Sequence, residues 1–265
     1  MTNKSTLFFA LAILSLLAAS GRAGEPRLMS WTVGKIEREG ILFAPDSPPK
    51  SGGSPLLFVF HGHGGNMRAS ARGTKYQDLW PEAVVVYMQG LPTVTRVDPE
   101  GKRAGWQHLP GDNADRDLKL VDTALAALRK KYTIDNNRIY ATGFSNGAFF
   151  TYLLWDQRPE TFAALAPCAG LPRPQLKLTT PKPAFIVSGE KDQLVKIDDQ
   201  KAAIERIRKL DSATADGKTG DNRTTVYTSD KGTPVETLIH PGAHTLPPEA
   251  PRLIVEFFKA HELKK

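Results

Sequence analysis

One stretch constrains this chain more than any other. RIYATGFSNGAFF, residues 138–150, passes from a strand-like run into a helix-like run with no loop between them. Arg138 to Thr142 has the β-branched and aromatic character of a short buried strand, and a helix is predicted from Asn146 to about Trp155. The whole change of direction must fit within Gly143-Phe144-Ser145-Asn146-Gly147, a G-x-S-x-G sequence. A turn that sharp demands small residues around the serine. It projects the hydroxyl from the carboxyl end of a strand, with a helix amino end behind it.

The remaining pattern agrees with that junction. Trp31–Ile36 and Gly40–Ala44 read as an opening strand pair, and Leu56–Phe60 and Ala83–Met88 as buried strands. Ala163–Ala166 and Ala184–Ser188 are further short strands, and Thr224–Thr228 and Val235–His240 flank a hairpin signal at Asp230-Lys231-Gly232. Helices are predicted within Met67–Leu79, over Asp115–Lys131, over Ile197–Leu210 and over Glu249–His261. Asp211–Asn222 reads as a polar loop. The acidic run Asp112–Asp117 reads as a helix start, where acids are favoured, and not as a calcium loop. Strands alternating with helices predict an α/β architecture, a mostly parallel central sheet with helices on both faces. Between the strands at 163–166 and 184–188 lies only PCAGLPRPQLKLTTPKP, whose prolines oppose a helical lid, so an open cleft is expected.

A serine hydroxyl needs a base, and on such sheets the chain order is serine, acid, histidine. His244, in PGAHTLP after the last strand, is the preferred base; His240 ends the strand itself, and His261 sits in the terminal helix. The acid should follow the strand ending at Ser188. Asp192 in GEKDQLV is the natural choice, with Glu190 and Asp198 as alternatives. The loop His61-Gly62-His63-Gly64-Gly65-Asn66 follows the first central strand. The Asn146 amide and the His63 amide are the expected oxyanion donors, with His61 bracing the loop. His61 and His63 also resemble a metal pair, but no third ligand stands at supportive spacing, so no metal is expected. Trp106 either walls an aromatic acyl pocket or is an ordinary packed residue.

Residues 1–23 carry a secretory leader pattern. Lys4 precedes an apolar run from Leu7 to Ala19, and Gly21 and Ala23 are the small residues before a cut after Ala23. The expected mature chain, 24–265, is one catalytic domain, secreted or periplasmic, with no stable membrane anchor. The 265 residues carry a net charge of +7, and loss of Lys4 and Arg22 with the leader would lower it by two. The remaining positive charge is dispersed, which argues for solubility and attraction to acidic polymers and against nucleic-acid recognition. Cys168 is the only cysteine, in the apolar stretch AALAPCAG, so no internal disulfide forms and a buried structural thiol is expected.

LLFVFHGHGGN, YTIDNNRIYATGFSNGAFF, ETFAALAPCAG and GAHTLP together resemble the polyhydroxybutyrate depolymerase and feruloyl esterase family of the α/β-hydrolase superfamily, in its single-domain, LpqC-like branch. The resemblance runs from about Leu56 to Leu246. It implies the α/β-hydrolase fold and an exported, cofactor-free serine esterase. Its site would use Ser145 as nucleophile, Asp192 as acid, His244 as base, and His63 with Asn146 as oxyanion donors. Leu246 stands where relatives often place an aromatic residue. The implied substrates are hydroxycinnamoyl, acetyl or hydroxyalkanoate esters, including polysaccharide-linked ones. Alternatives are a prolyl oligopeptidase-type peptidase and a non-catalytic binding protein on the same scaffold.

Overall fold

The computed structural model describes residues 23–47, 49, 51–213, 217–220 and 223–263. The leader expectation falls on residues outside these, apart from Ala23. The strands are β1 (Arg27–Val33), β2 (Ile36–Phe43), β3 (Ser54–Phe60), β4 (Val84–Met88), β5 (Leu91–Pro92), β6 (Ala104–Gly105), β7 (Ile134–Phe144), β8 (Ala164–Cys168), β9 (Ala184–Gly189), β10 (Lys218–Thr219), β11 (Thr224–Tyr227) and β12 (Val235–His240). The α-helices are α1 (Met67–Thr74), α2 (Tyr76–Leu79), α3 (Arg116–Lys131), α4 (Asn146–Gln157), α5 (Ile197–Leu210) and α6 (Ala250–Lys259).

The main sheet runs β1-β2-β4-β3-β7-β8-β9-β12-β11-β10. From β4 to β12 neighbouring strands are parallel. The outer pairs on both sides are antiparallel. The central strands are apolar on both faces because both faces are covered. In β3, Leu56, Phe58 and Phe60 join the core under α3, α4 and α5, while Leu57 and Val59 join the core under α1, α2 and α6. On the buried face of α6, Phe258 stacks on Tyr140 of β7 with ring centroids 4.8 Å apart.

Several boundaries differ from the sequence reading. The helix expected across Met67–Leu79 is broken at Lys75, which adopts a left-handed conformation (φ 48°) and donates its amide to Ala71. Three successive residues before α3, Asn113, Ala114 and Asp115, are also left-handed, so that helix starts at Arg116. β7 begins four residues earlier than Arg138, and β10 extends the late hairpin from a segment read as loop.

The connection 169–183 holds no helix. It is pinned to the body instead: Leu176 and Leu178 are buried, Trp155 Nε1 donates to the Thr180 carbonyl (2.8 Å), and the Leu178 amide donates to Asp156 (2.7 Å). Among the described residues no helix is long and apolar enough to cross a membrane. Cys168 is buried, and burial raises its thiol pKa to about 12, which leaves it protonated and inert.

Candidate active site

β7 ends at Phe144 and α4 begins at Asn146, so Ser145 alone makes the junction, at φ 54° and ψ −115°. A non-glycine residue held there costs about 1–3 kcal/mol and needs surrounding support. Its amide donates to the Cys168 carbonyl at the end of β8 (2.8 Å), and its carbonyl accepts from Ala148 (2.8 Å) and Phe149 (3.2 Å). The flanking glycines are steric necessities. A Cβ on Gly143 would stand 2.2 Å from the Gly147 carbonyl oxygen, and one on Gly147 would stand 2.3 Å from that of Phe60.

The ends of β9 and β12 deliver the other two groups. The loops after them are stitched together: Glu190 N–H donates to the His240 carbonyl (2.8 Å) and Lys191 N–H to that of Gly242 (3.0 Å). His244 Nε2 lies 2.7 Å from Ser145 Oγ, and His244 Nδ1 lies 2.7 Å from Asp192 Oδ2. With Nδ1–H donating to the carboxylate, Nε2 presents its lone pair to the serine hydroxyl. Asp192 is buried, and its other oxygen accepts the amides of Leu194 and Val195 (both 2.9 Å). Gln200 of α5 adds a donor to Oδ2 (3.2 Å) and a second to the Val195 carbonyl (2.7 Å). His240, by contrast, is buried and accepts the Gly242 amide (3.2 Å), and His261 Nδ1 lies 2.7 Å from the Phe257 carbonyl oxygen. Neither rival histidine touches Ser145.

The histidine loop divides its work. His61 is buried between the Gly90 amide, which donates to its Nε2 (3.0 Å), and the Gly62 carbonyl, which accepts from its Nδ1 (2.7 Å). Burial lowers its pKa, and the ring braces the loop as the sequence implied. The His63 ring lies on Asp98 instead, Nε2 to Oδ2 3.0 Å. The two rings therefore serve different protein partners, and among the described residues no three His, Cys, Asp or Glu side chains converge as a metal site. The Gly64 and Gly65 amides are occupied by the Ala104 and Gly62 carbonyls, whereas those of His63 and Asn146 have no protein acceptor among the described residues.

Trp106 does not wall the cleft. It is fully buried, edge-on to Phe60 and stacked on Phe150, with Nε1 donating to the His61 carbonyl (2.8 Å). Its backbone holds the start of α4: the Trp106 amide donates to Asn146 Oδ1 (2.6 Å). That loop is fixed in turn by Asp117 of α3. Asp117 accepts the Gln107 amide (2.8 Å), while Gln107 Oε1 accepts the Asp117 amide (3.0 Å). The other Asp117 oxygen is paired with Arg38 of β2 (2.8 Å), both side chains being fully buried. An open groove of about 350 Å³ beside Ser145 is lined by Gly62, Ala69, Phe144, Leu246, Pro247 and Pro251.

Sequence reasoning missed Gln200, Asp98, and the pair Asp117 and Arg38. Gln200 and Asp117 had a signal, since each is polar at a position on its helix where helical spacing places the buried face, alongside Ala203 and Ile204 in α5 and Val121 and Ala124 in α3.

A model of the prolyl oligopeptidase family matches residues 100–176. Among curated proteins, a probable feruloyl esterase C of Aspergillus oryzae is 29% identical over 63% of this chain and 61% of its own length. A bifunctional acetylxylan esterase/xylanase of Neocallimastix patriciarum is 30% identical over 54% of this chain and 20% of its own. The chain thus spans about three fifths of the first relative's length and far less of the second's. Among solved structures, a thermostable esterase superposes with a TM-score of 0.65 at 19% identity, over 90% of this chain and 63% of that one. An acetyl xylan esterase from Aspergillus awamori gives 0.61 at 15% identity, over 89% and 99%. The chain has the α/β-hydrolase fold, and it is similar in sequence as well as in backbone to esterases that share it.

Proposed function

We propose that this protein is a serine carboxylic ester hydrolase working through an acyl-enzyme. The observation that carries the reading is the relay of two 2.7 Å contacts, Asp192 to His244 to Ser145, ending on a serine held at a strained strand-to-helix turn. His244 Nε2 takes the hydroxyl proton as Ser145 Oγ attacks the ester carbonyl carbon. Asp192 fixes the ring tautomer and stabilises the imidazolium. The carbonyl oxygen gains negative charge opposite the free amides of Asn146 and His63. His244 returns its proton to the leaving alcohol oxygen as the C–O bond breaks. A water then attacks the acyl-serine with His244 again as base, and the acid and free serine are released.

The substrates we propose are hydroxycinnamoyl, acetyl or hydroxyalkanoate esters, polysaccharide-linked ones included, acted on by an exported enzyme. Support for the first two comes from the relatives named feruloyl esterase and acetylxylan esterase. Support for attached, bulky substrates comes from the pinned connection 169–183, which leaves the groove beside Ser145 uncovered. A fluorophosphonate probe should label Ser145, and Ser145→Ala should abolish labelling and lower turnover by about 10³-fold or more, leaving oxyanion and binding contributions only. Retention of more than about a tenth of wild-type turnover would sink the assignment. The match to the prolyl oligopeptidase family favours a peptidase as second reading. Turnover of prolyl amides above that of matched esters would establish it.

A further inference from the structure

His108 of the Trp106 loop touches the nucleophile helix in a way that does not balance. Asn146 Nδ2 lies 2.6 Å from His108 Nε2, and Arg173 Nη2 lies 2.8 Å from His108 Nδ1. The Asn146 amide cannot be turned over, because its Oδ1 already accepts the backbone N–H of Trp106. Both imidazole nitrogens therefore face N–H donors, while a neutral imidazole has one lone pair to offer. One donor is surplus. Asn146 is buried and pinned, so the surplus donor is Arg173, which is half-exposed.

Among the described residues Arg173 has no other hydrogen-bond acceptor. Its guanidinium sits 4.9 Å above the ring of Phe149, one turn along α4 from Ser145. Among the described residues it forms no ion pair. Asp112, an acid in its field, forms no ion pair with it and accepts the amides of His108 (3.2 Å) and Leu109 (2.9 Å) on its Oδ2. Arg96, exposed on the loop before Asp98, adds a second positive charge to the same field. Burial and the adjacent guanidinium push the His108 pKa down to about 3, so the imidazole stays neutral and supplies no competing charge. A planar cation without an anionic partner among the described residues, set over an aromatic ring and partly withdrawn from water, is built for bidentate contact with a carboxylate.

We propose that Arg173, with Arg96 behind it, forms a carboxylate-binding subsite beside Ser145, and that the preferred substrates are esters bearing a carboxylate near the scissile bond. This rests on the esterase reading above. Release of Arg173 from His108 to the substrate removes the surplus donor, so the subsite gains a bond where the free protein has a conflict.

Two matched pairs test it, each rate divided by that ester's hydroxide hydrolysis rate. Monophenyl adipate against phenyl hexanoate places the carboxylate on the acyl part, and 4-acetoxybenzoate against phenyl acetate places it on the alcohol part. The wild-type protein should favour the anionic member of one pair by about tenfold in kcat/KM, as expected for one charge-assisted contact. The pair that responds assigns the side. Arg173→Gln should bring that ratio close to one, Arg173→Lys should restore part of it, and added salt should erode it in the wild type. A ratio near one in both pairs, or a ratio unchanged by Arg173→Gln, overturns the inference. Calorimetric titration of Ser145→Ala protein with monophenyl adipate and 4-acetoxybenzoate, with and without Arg173→Gln, reads the subsite without turnover. About tenfold weaker binding of one of them is expected, and no weakening of either overturns the proposal. If the wild type cleaves none of the four esters, the esterase reading fails, and the titration still decides the subsite.

Discussion

Gln200→Met is the most informative change in the relay. Gln200 is buried on α5 and supports Asp192 from behind. Methionine nearly conserves its volume, so the change removes polar contacts without opening a large cavity. Two hydrogen bonds are lost, one long at 3.2 Å to a carboxylate and one at 2.7 Å to the Val195 carbonyl. Together they are worth about 2 kcal/mol. Against this, Gln200 Oε1 is buried with no partner, and deleting it returns about 1–2 kcal/mol of desolvation cost. Stability should therefore change by less than about 1 kcal/mol, or roughly 2–4 °C in Tm for a chain of this size. Activity should respond more. Asp192 keeps the Leu194 and Val195 amides and His244, but loses a donor on the oxygen that faces the imidazole. The carboxylate is then held less firmly, and the imidazole it orients with it. Turnover should fall about three- to tenfold with little change in KM. Steady-state kinetics on an aryl ester, with a thermal melt, supplies these readouts. Turnover within twofold of wild type would refute the reasoning and reduce Gln200 to a packing residue.

Gly147→Ala should destabilise by about 3 kcal/mol or more, because its Cβ would meet the Phe60 carbonyl at 2.3 Å and the His61 carbonyl at 2.8 Å. A melting temperature within about 2 °C of wild type would contradict that steric account. Asp211 is buried with Oδ2 unpartnered, and burial raises its pKa to about 8. The unfolded carboxyl ionises near pH 4, so native stability from this group is fullest below that point and declines as pH rises toward 8. Asp211→Asn should therefore gain stability over wild type progressively between about pH 4 and 8, by roughly 1–3 kcal/mol after its own unpaired N–H is counted. A pH-independent difference in Tm would mean the carboxyl is already ionised in the folded state. On a short triglyceride taken through its solubility limit, the rate should follow dissolved ester without a step. A steep rise as droplets form would point to a lid that the 169–183 connection does not supply.

The fold was legible because its strands are short, apolar and punctuated, and because one junction permits little else. Ser145, Asp192 and His244 were legible because each follows a strand, in the chain order such sheets require. Trp106 was ambiguous for a physical reason: an aromatic in a glycine-containing loop has the same signature whether it faces a cleft or a core. The break at Lys75 was hidden, since lysine carries no preference for the left-handed region. The early start of β7 was hidden because Asp135, Asn136 and Asn137 are turn residues by type, and they lie at a register shift between the Ser54–Ile134 and Leu56–Ile139 pairs. The support for Asp192 was half-visible. A glutamine on the apolar face of an amphipathic helix signals a buried partner, but the partner lies on another loop and no spacing names it.

The buried pair between Arg38 and Asp117 has a consequence for where this chain can be cut. The six parallel strands hold every group of the relay, so the antiparallel pair β1 and β2 looks dispensable to anyone shortening the protein for expression or grafting. Removing it would take from the fully buried Asp117 its 2.8 Å partner and leave only Arg116 at 3.8 Å, at a cost of about 3 kcal/mol. Asp117 would be drawn toward Arg116, and Gln107 would lose its fixed acceptor. The segment carrying Trp106 and His108 would then drift from Asn146. An edge hairpin remote in sequence from Ser145 is in this way an anchor for it, and a shortened chain has to keep β2 with the β1 strand paired along it.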